Sequence, residues 1–256
     1  MPSRPGPTYC DRVADDLFEH PRLAAVYDAL DPDRSDLNVY AAIVTELDAQ
    51  RVLDVGCGTG TFALMLSDRG VDVVGLDPAG ASLDVARGKP GAERVRWVHG
   101  DASALLDDLD ARVDLAVMTA NVAQAIVDEQ DWARTLAVVR RCLRPGGYLV
   151  FETRRPERRG WEEWTREQSE TVTEVPGYGS IRHWVQLTEV NLPLVSFKVV
   201  RVFGDQVLAS TSTLRFRSEE EIAASLAASG YVVREVREAP DRPGRELVFV
   251  AQRAEG

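Results

Sequence analysis

In VLDVGCGTGTFALML, Val52 to Leu66, an apolar β-branched run breaks into glycines at every second position and then into a helical pattern. Glycine loses more conformational freedom on folding than any other residue. Gly56, Gly58 and Gly60 so close together therefore imply that something comes very near the main chain. A strand that ends in a glycine turn and opens a helix aims backbone N–H groups at whatever sits above the sheet, which makes the turn a small-molecule site. Glycine also serves simple chain reversal, and the turn alone does not separate the two uses. The spacing here is GxGxG behind Asp54, not the GxGxxG of a dinucleotide fingerprint.

The rest of the chain supplies a setting for such a turn. After a proline-bearing start, Met1 to Thr8, helical periodicity begins near Asp11 in DRVADDLFEHPRLAAVYDAL, and a further helix fits Leu37 to Leu47 with Asp36 as its N-cap. Strands and helices then alternate. RVLDV, VDVVGLD, VRWVHGD, VDLAVMT and YLVFET read as strands, with TFALMLSDRG, ASLDVARG, a short helical turn and DWARTLAVVRRCL between them. That rhythm predicts an α/β fold with a parallel sheet and helices on both faces. It stops at Arg154. TVTEV, IRHWVQLTEV, LVSFKVVRVF and VLASTSTLRF, separated by PGYG, NLP and GDQ, read as an inserted antiparallel β-sheet. EEEIAASLAASG returns to helix, with Ser218 and Glu221 as a capping box and Gly230 as its stop, before the strands YVVREV and ELVFVAQR. The expected division is a helical lid segment over 1–36, a core over 37–153, the insertion over 154–217 and a closing helix and hairpin over 218–256.

A chain of 256 residues can bury a large core, and its net charge of -11 repels phosphate backbones, which argues against a broad nucleic-acid footprint. Cys10, Cys57 and Cys142 are widely spaced without a CxxC pair, which suggests a reducing compartment and neither a disulfide framework nor a zinc site. The N-terminus lacks the apolar core of a signal peptide and no run approaches a membrane helix in length, so the expectation is a soluble, cytoplasmic protein without a membrane partner.

Three acids stand at three successive strand ends. Asp77, followed by Pro78, closes the second strand, where a carboxylate can accept both hydroxyls of a ribose. Asp101 closes the third, where it can accept from an adenine amine while the N–H of Ala102 meets a ring nitrogen. Each acid could instead serve a turn or an N-cap.

With these residues together, the chain resembles a class I S-adenosylmethionine-dependent methyltransferase. VLDVGCGTG matches that family's first motif, LDP its ribose-binding acid, GDA its adenine-contacting segment and LRPGG the loop before its fifth strand. The resemblance spans about Leu37 to Glu152. It implies a Rossmann-like seven-stranded, mainly parallel sheet with an antiparallel last strand. It also implies S-adenosylmethionine as cofactor, S-adenosylhomocysteine as product, and binding by Asp54, Gly56, Cys57, Gly58, Gly60, Asp77, Pro78, Asp101, Ala102, Asn121 and Val122. On this view side chains at the glycines would occupy cofactor space.

Methyl transfer needs alignment, exclusion of water and, for oxygen acceptors, removal of a proton, so no universal catalytic residue is required. The family places MTANVAQ beside the methyl group, making Asn121 and Val122 wall residues, although Asn121 and Gln124 would equally form a capping box. TANV departs from the signature of nucleic-acid amino methyltransferases. Thr119 and Ala120 do not provide the acid of the metal-dependent catechol type, so no metal is expected. VYDALDP resembles a segment that folds over the cofactor, with Tyr27 as lid residue or plain core packing. His20 and His99 read as structural; His183, beside Trp184, is the candidate base. Trp161 and Trp164 could line an acceptor pocket, pack the sheet or cover a homodimer interface. Comparable β insertions in sugar N-methyltransferases serve both substrate and dimer. The expected function is methylation of a small organic molecule at nitrogen or oxygen. The rivals are an NAD(P)-dependent oxidoreductase and a non-catalytic S-adenosylmethionine-binding protein.

Overall fold

The computed structural model describes residues 14–105 and 112–255. The expected start of the first helix at Asp11, and Cys10, lie outside the described residues. The strands are β1 Arg51–Val55, β2 Asp72–Asp77, β3 Arg96–His99, β4 Val113–Met118, β5 Leu143–Arg154, β6 Thr171–Val175, β7 Gly179–Asn191, β8 Leu194–Phe203, β9 Gln206–Arg215, β10 Tyr231–Glu238 and β11 Glu246–Arg253. The helices are α1 Asp16–Glu19, α2 Pro21–Ala25, α3 Tyr27–Leu30, α4 Leu37–Glu46, α5 Thr61–Asp68, α6 Gly80–Arg87, α7 Val122–Ala125, α8 Glu129–Cys142, α9 Arg166–Ser169 and α10 Glu219–Ala228.

One sheet has seven strands in the order β10-β11-β5-β4-β1-β2-β3. Its first five strands in sequence pair in parallel, and β11 enters antiparallel between β5 and β10, as expected. β1 lies at the centre and, past its first residue, is buried on both faces, which is why it reads as an unbroken apolar run around Asp54. On one face Trp132 packs edge-on to Phe151, which stacks on Phe249 at 5.4 Å; on the other, Tyr40 meets Phe62. Strand order reverses on either side of β1, and a crevice opens there above the C-terminal strand ends.

The insertion is an antiparallel meander, β6-β7-β8-β9, on the predicted segments. Trp161 is buried against Phe216 at 4.6 Å, and Trp164 lies 4.8 Å from Phe197, so these tryptophans pack within the insertion. The capping box of α10 forms: Ser218 Oγ accepts the Glu221 N–H at 3.2 Å and Glu221 Oε2 accepts the Ser218 N–H at 2.7 Å.

Three local expectations are corrected. The periodic N-terminal stretch is not one helix but three short ones, because Pro21 has no N–H to continue α1; it starts α2 instead, with His20 Nδ1 accepting the Arg22 N–H at 3.1 Å. Asp36 has helical dihedrals and turns its carboxylate to Arg34 at 3.4 Å, so it does not cap α4. Asn121 and Gln124 form no capping box. Asn121 is left-handed, with φ 62°, and its side chain caps nothing, while Gln124 Oε1 accepts from Arg154. No helix among the described residues is long and apolar enough to cross a membrane.

Candidate active site

A cavity of about 550 Å³ fills the crevice. Its floor is the glycine turn, one flank is the ends of β2 and β4, its cover is the N-terminal segment and its far wall comes from the insertion. Tyr27, Gly56, Cys57, Gly58, Asp77, Pro78, Asp101, Ala102, Asn121 and Val122 all line it, whereas Asp54, Gly60 and His183 do not.

The glycines divide the labour differently from the expectation that all three clear cofactor space. All are left-handed, with φ 74°, 54° and 78° at Gly56, Gly58 and Gly60, which disfavours any other residue. A Cβ on Gly56 would fall 2.5 Å from Val122 and one on Gly60 would fall 2.5 Å from Trp97, so these two glycines are required by packing. Only at Gly58 would a Cβ point into open space.

The turn is tied to β2. The Gly56 N–H donates to the Leu76 carbonyl at 2.7 Å; Asp77 Oδ2 accepts the Gly58 N–H and its Oδ1 the Ala79 N–H, each at 2.7 Å. Burial raises the pKa of Asp77, and those two bonds oppose the rise. Each oxygen keeps a lone pair for a further donor. Asp54, two residues before Gly56 on β1, is fully buried and neither of its oxygens has a partner. Burial, with the Asp77 charge adding and Arg34 opposing, pushes its pKa up to about 7. Burial likewise lifts the Cys57 thiol far from reactivity. Asp101 Oδ1 accepts both the Ser103 N–H at 2.7 Å and its hydroxyl at 2.5 Å, opening the 3-10 turn Ala102–Leu105. This acid is therefore a turn residue and a cavity residue at once.

The N-terminal segment is fastened to both walls. Asp28 accepts from Thr59 Oγ1 and pairs with Lys89, each at 2.6 Å, and Glu19 Oε2 accepts the Gly80 N–H at 2.7 Å. Toward the insertion, the Leu17 N–H donates to Ser210 Oγ at 2.9 Å and Arg201 donates to the Leu23 carbonyl at 2.6 Å. Tyr27 thereby faces the cavity, with Phe18 5.7 Å from its ring centre, and burial raises its pKa.

At the end of β4, Ala120 and Asn121 both have positive φ, 54° and 62°, at a cost of order 1–2 kcal/mol for a residue such as alanine. Asn121 Oδ1 is buried without a partner. Its backbone N–H donates to Glu152 Oε1 at 2.9 Å. Burial and the neighbouring Glu246 push the pKa of Glu152 up to about 7, against that N–H bond and Arg154.

His183 stands apart, with Nε2 2.9 Å from the Thr171 hydroxyl and its pKa lowered by burial and then by Arg201. Trp184 carries Arg166 over its ring at 4.2 Å. The site residues that pattern reading missed are Asp15, Arg34, Arg154, Phe197, Ser212 and Leu214, all lining the cavity, and Glu152 behind it. Of these only Glu152 left a trace in the sequence, as a lone acid in the apolar strand YLVFET.

The family profile described as "Methyltransferase domain" matches residues 52–147. An uncharacterized methyltransferase of Mycobacterium tuberculosis is 39% identical over 121 residues, 44% of each chain. The chain thus spans less than half the length of the first curated relatives it matches. A demethylmenaquinone methyltransferase of Thermus thermophilus is 30% identical over 196 residues, 75% of this chain and 79% of that one. Among solved structures, a sugar N-methyltransferase from Streptoalloteichus shares the fold at a TM-score of 0.69 and 21% identity, covering 100% of this chain and 99% of that one. Extended identity to a methyltransferase over most of both chains, on a sheet whose seventh strand runs antiparallel, places this chain in the class I S-adenosylmethionine-dependent methyltransferase family.

Proposed function

We propose that the protein transfers a methyl group from S-adenosylmethionine to nitrogen or oxygen of a small organic acceptor. The observation that carries this reading is one cavity with two unlike walls, the glycine turn with Asp77 and Asp101 on one side and Phe197, Ser212 and Leu214 of the insertion on the other. The residues present fit the cofactor. Asp54 does not itself line the cavity, but its two unpartnered carboxylate oxygens belong to the residue just before Val55 and Gly56, which do, and they put negative charge behind the floor for a cationic amino-acid group. Bound there, S-adenosylmethionine supplies a methyl group already activated on a sulfonium.

The remaining work falls to side chains. Asp77 accepts the ribose hydroxyls through its spare lone pairs, and Asp101 with Ala102 takes the adenine edge. Pro78 and Cys57 contribute apolar surface. Tyr27 and Arg34 close the amino-acid end, while Asn121 and Val122 form the wall beside the reacting centre. The insertion orients the acceptor and keeps water out, which aligns the two reactants. Asp15 lies in the cavity with burial raising its pKa, and takes the proton-accepting role in preference to His183, which is outside the lining. A homodimer through the insertion, where Val172, Val190, Leu192 and Val207 are exposed, belongs to this reading, and sedimentation tests it. So does cytoplasmic residence, supported by the free thiols of Cys57 and Cys142.

Calorimetry with S-adenosylhomocysteine, S-adenosylmethionine and NAD tests the cofactor half. Binding of NAD with neither adenosyl compound would return the nicotinamide reading. Incubation of a metabolite extract with labelled methyl donor, read by mass spectrometry, tests transfer and identifies the acceptor. Binding without any labelled product would leave a cofactor-binding protein.

A further inference from the structure

The β4–β5 ladder ends at the pair Met118 and Phe151. Just past it, β4 turns away through Ala120 and Asn121, so the buried Asn121 N–H has no strand carbonyl opposite it. The carboxylate of Glu152, one residue beyond Phe151, accepts that N–H instead. The turn matters to the cavity at two points. It places the Asn121 carboxamide, whose Oδ1 is buried and unpartnered, in the wall, and it sets Val122 against the glycine turn so closely that Gly56 has no room for a Cβ.

We infer that Glu152 is a positioning residue. Its carboxylate holds the Ala120–Asn121 turn in the left-handed conformation that presents Asn121 to the cavity and seats Val122 on Gly56. The inference rests on the cofactor reading above. Asparagine tolerates positive φ through its own short polar side chain, but alanine has no such compensation, so an outside anchor must over-determine the pair. Removing the anchor lets Ala120 relax. Because Val122 already touches the Gly56 backbone region, the relaxation moves the floor and the wall of the cavity together. Glu152 also has Glu246, Arg154, Asp241 and Arg242 for charged neighbours, and membership of that charge cluster alone is the competing account.

Calorimetric titration with S-adenosylhomocysteine separates the two. Glu152→Gln keeps an acceptor oxygen and should bind within about threefold of the unmodified protein, whereas Glu152→Leu should bind about tenfold or more weakly, the loss of one charge-assisted bond. Adding Ala120→Gly to Glu152→Leu should recover most of the affinity, since glycine takes positive φ without strain. A charge-cluster role predicts a lower Tm in both Glu152 variants and no rescue by glycine. Equal affinity in Glu152→Leu, or failure of that rescue, overturns the inference. If Glu152→Leu does not fold, hydrogen exchange on the unmodified, ligand-free protein decides. The Asn121 amide should be protected by about 100-fold or more, and exchange at the rate of an open loop overturns the proposal. An unmodified protein that fails to bind S-adenosylhomocysteine would sink the cofactor reading instead, and the exchange experiment would still judge Glu152.

Discussion

The two walls of the cavity are built by different means. The glycine-turn wall is main chain and carboxylate. Its glycine turn is clamped to β2 by Asp77, and its acids end or follow two parallel strands, the buried β2 and the partly exposed edge strand β3, whose register leaves them little freedom. The insertion wall is side chain alone, with Phe197, Ser212 and Leu214 on an antiparallel sheet that joins the core through Arg215 and Arg217, which donate to the carbonyls of Val127, Ala123 and Ile126, and through the N-terminal segment. A wall of backbone donors admits little variation without loss of the fold. A wall of side chains can be rewritten residue by residue, which suits recognition of an acceptor.

The sharpest break in that comparison lies within the glycine turn. Gly60→Val should cost about 3–5 kcal/mol of stability, from collision with Trp97 and Ala86 together with left-handed strain, as read by denaturant unfolding. Gly58→Ala should cost only about 1–2 kcal/mol of stability, and should weaken S-adenosylhomocysteine binding, because its Cβ enters the open cavity. Equal stability losses would mean that the two glycines do the same job.

Next in size, Asp77→Ala should weaken cofactor binding by about 2–4 kcal/mol in calorimetry. A purely ligand-binding acid would leave stability untouched. Here the Gly58 and Ala79 N–H groups lose their acceptor, so a fall in Tm should accompany the loss, and an unchanged affinity would remove Asp77 from the ribose role.

A smaller effect concerns pH. The pKa of Asp54 is about 7 in the folded chain against an ordinary 3.8, and that of Glu152 is also about 7, so the folded state holds protons that the unfolded chain releases. Their contribution to stability is complete below the ordinary carboxylate range and is lost as pH rises through about 7. A cationic ligand favours ionised Asp54. Binding should therefore release a proton near neutrality, with affinity rising by up to about 1.4 kcal/mol per pH unit below 7. Titrations in buffers of different ionisation enthalpy measure the release. Asp54→Asn should abolish most of it, and a release undiminished in that variant would assign it to another group.

The smallest effect is the one that defines the far wall. Ser212→Ala should leave S-adenosylhomocysteine affinity within about 0.5 kcal/mol, yet lower turnover once an acceptor is known. A large loss of cofactor affinity would merge the two walls into one.

Much of the fold was legible because its signals are local. The alternation of strand and helix, the turn at Gly56 to Gly60, the capping box of Ser218 and Glu221 and the four strands of the insertion each depend on neighbours a few residues away. Most of the glycine-turn side of the cavity was legible for the same reason, since Asp77, Asp101 and Ala102 belong to strand ends recognisable in sequence. What stayed open is long-range. Trp161 and Trp164 could equally line a pocket or pack the sheet, and they pack against Phe216 and Phe197; His183 faces Thr171, outside the cavity lining. The helix expected from DRVADDLFEHPRLAAVYDAL failed for a local reason, the proline within it, which periodicity outweighed.

By itself the sequence determined which segments become strand, turn or helix, and which acids stand at the strand ends, because backbone propensity and hydrophobic period act over a handful of residues. Only the tertiary structure decided what each glycine is for, that Glu152 reaches the Asn121 N–H and that Phe197 and Ser212 complete the cavity. Those pairings join residues far apart in the chain. Each is selected by close packing and by the need of every buried polar group for a partner, and neither condition exists until the sheets have assembled.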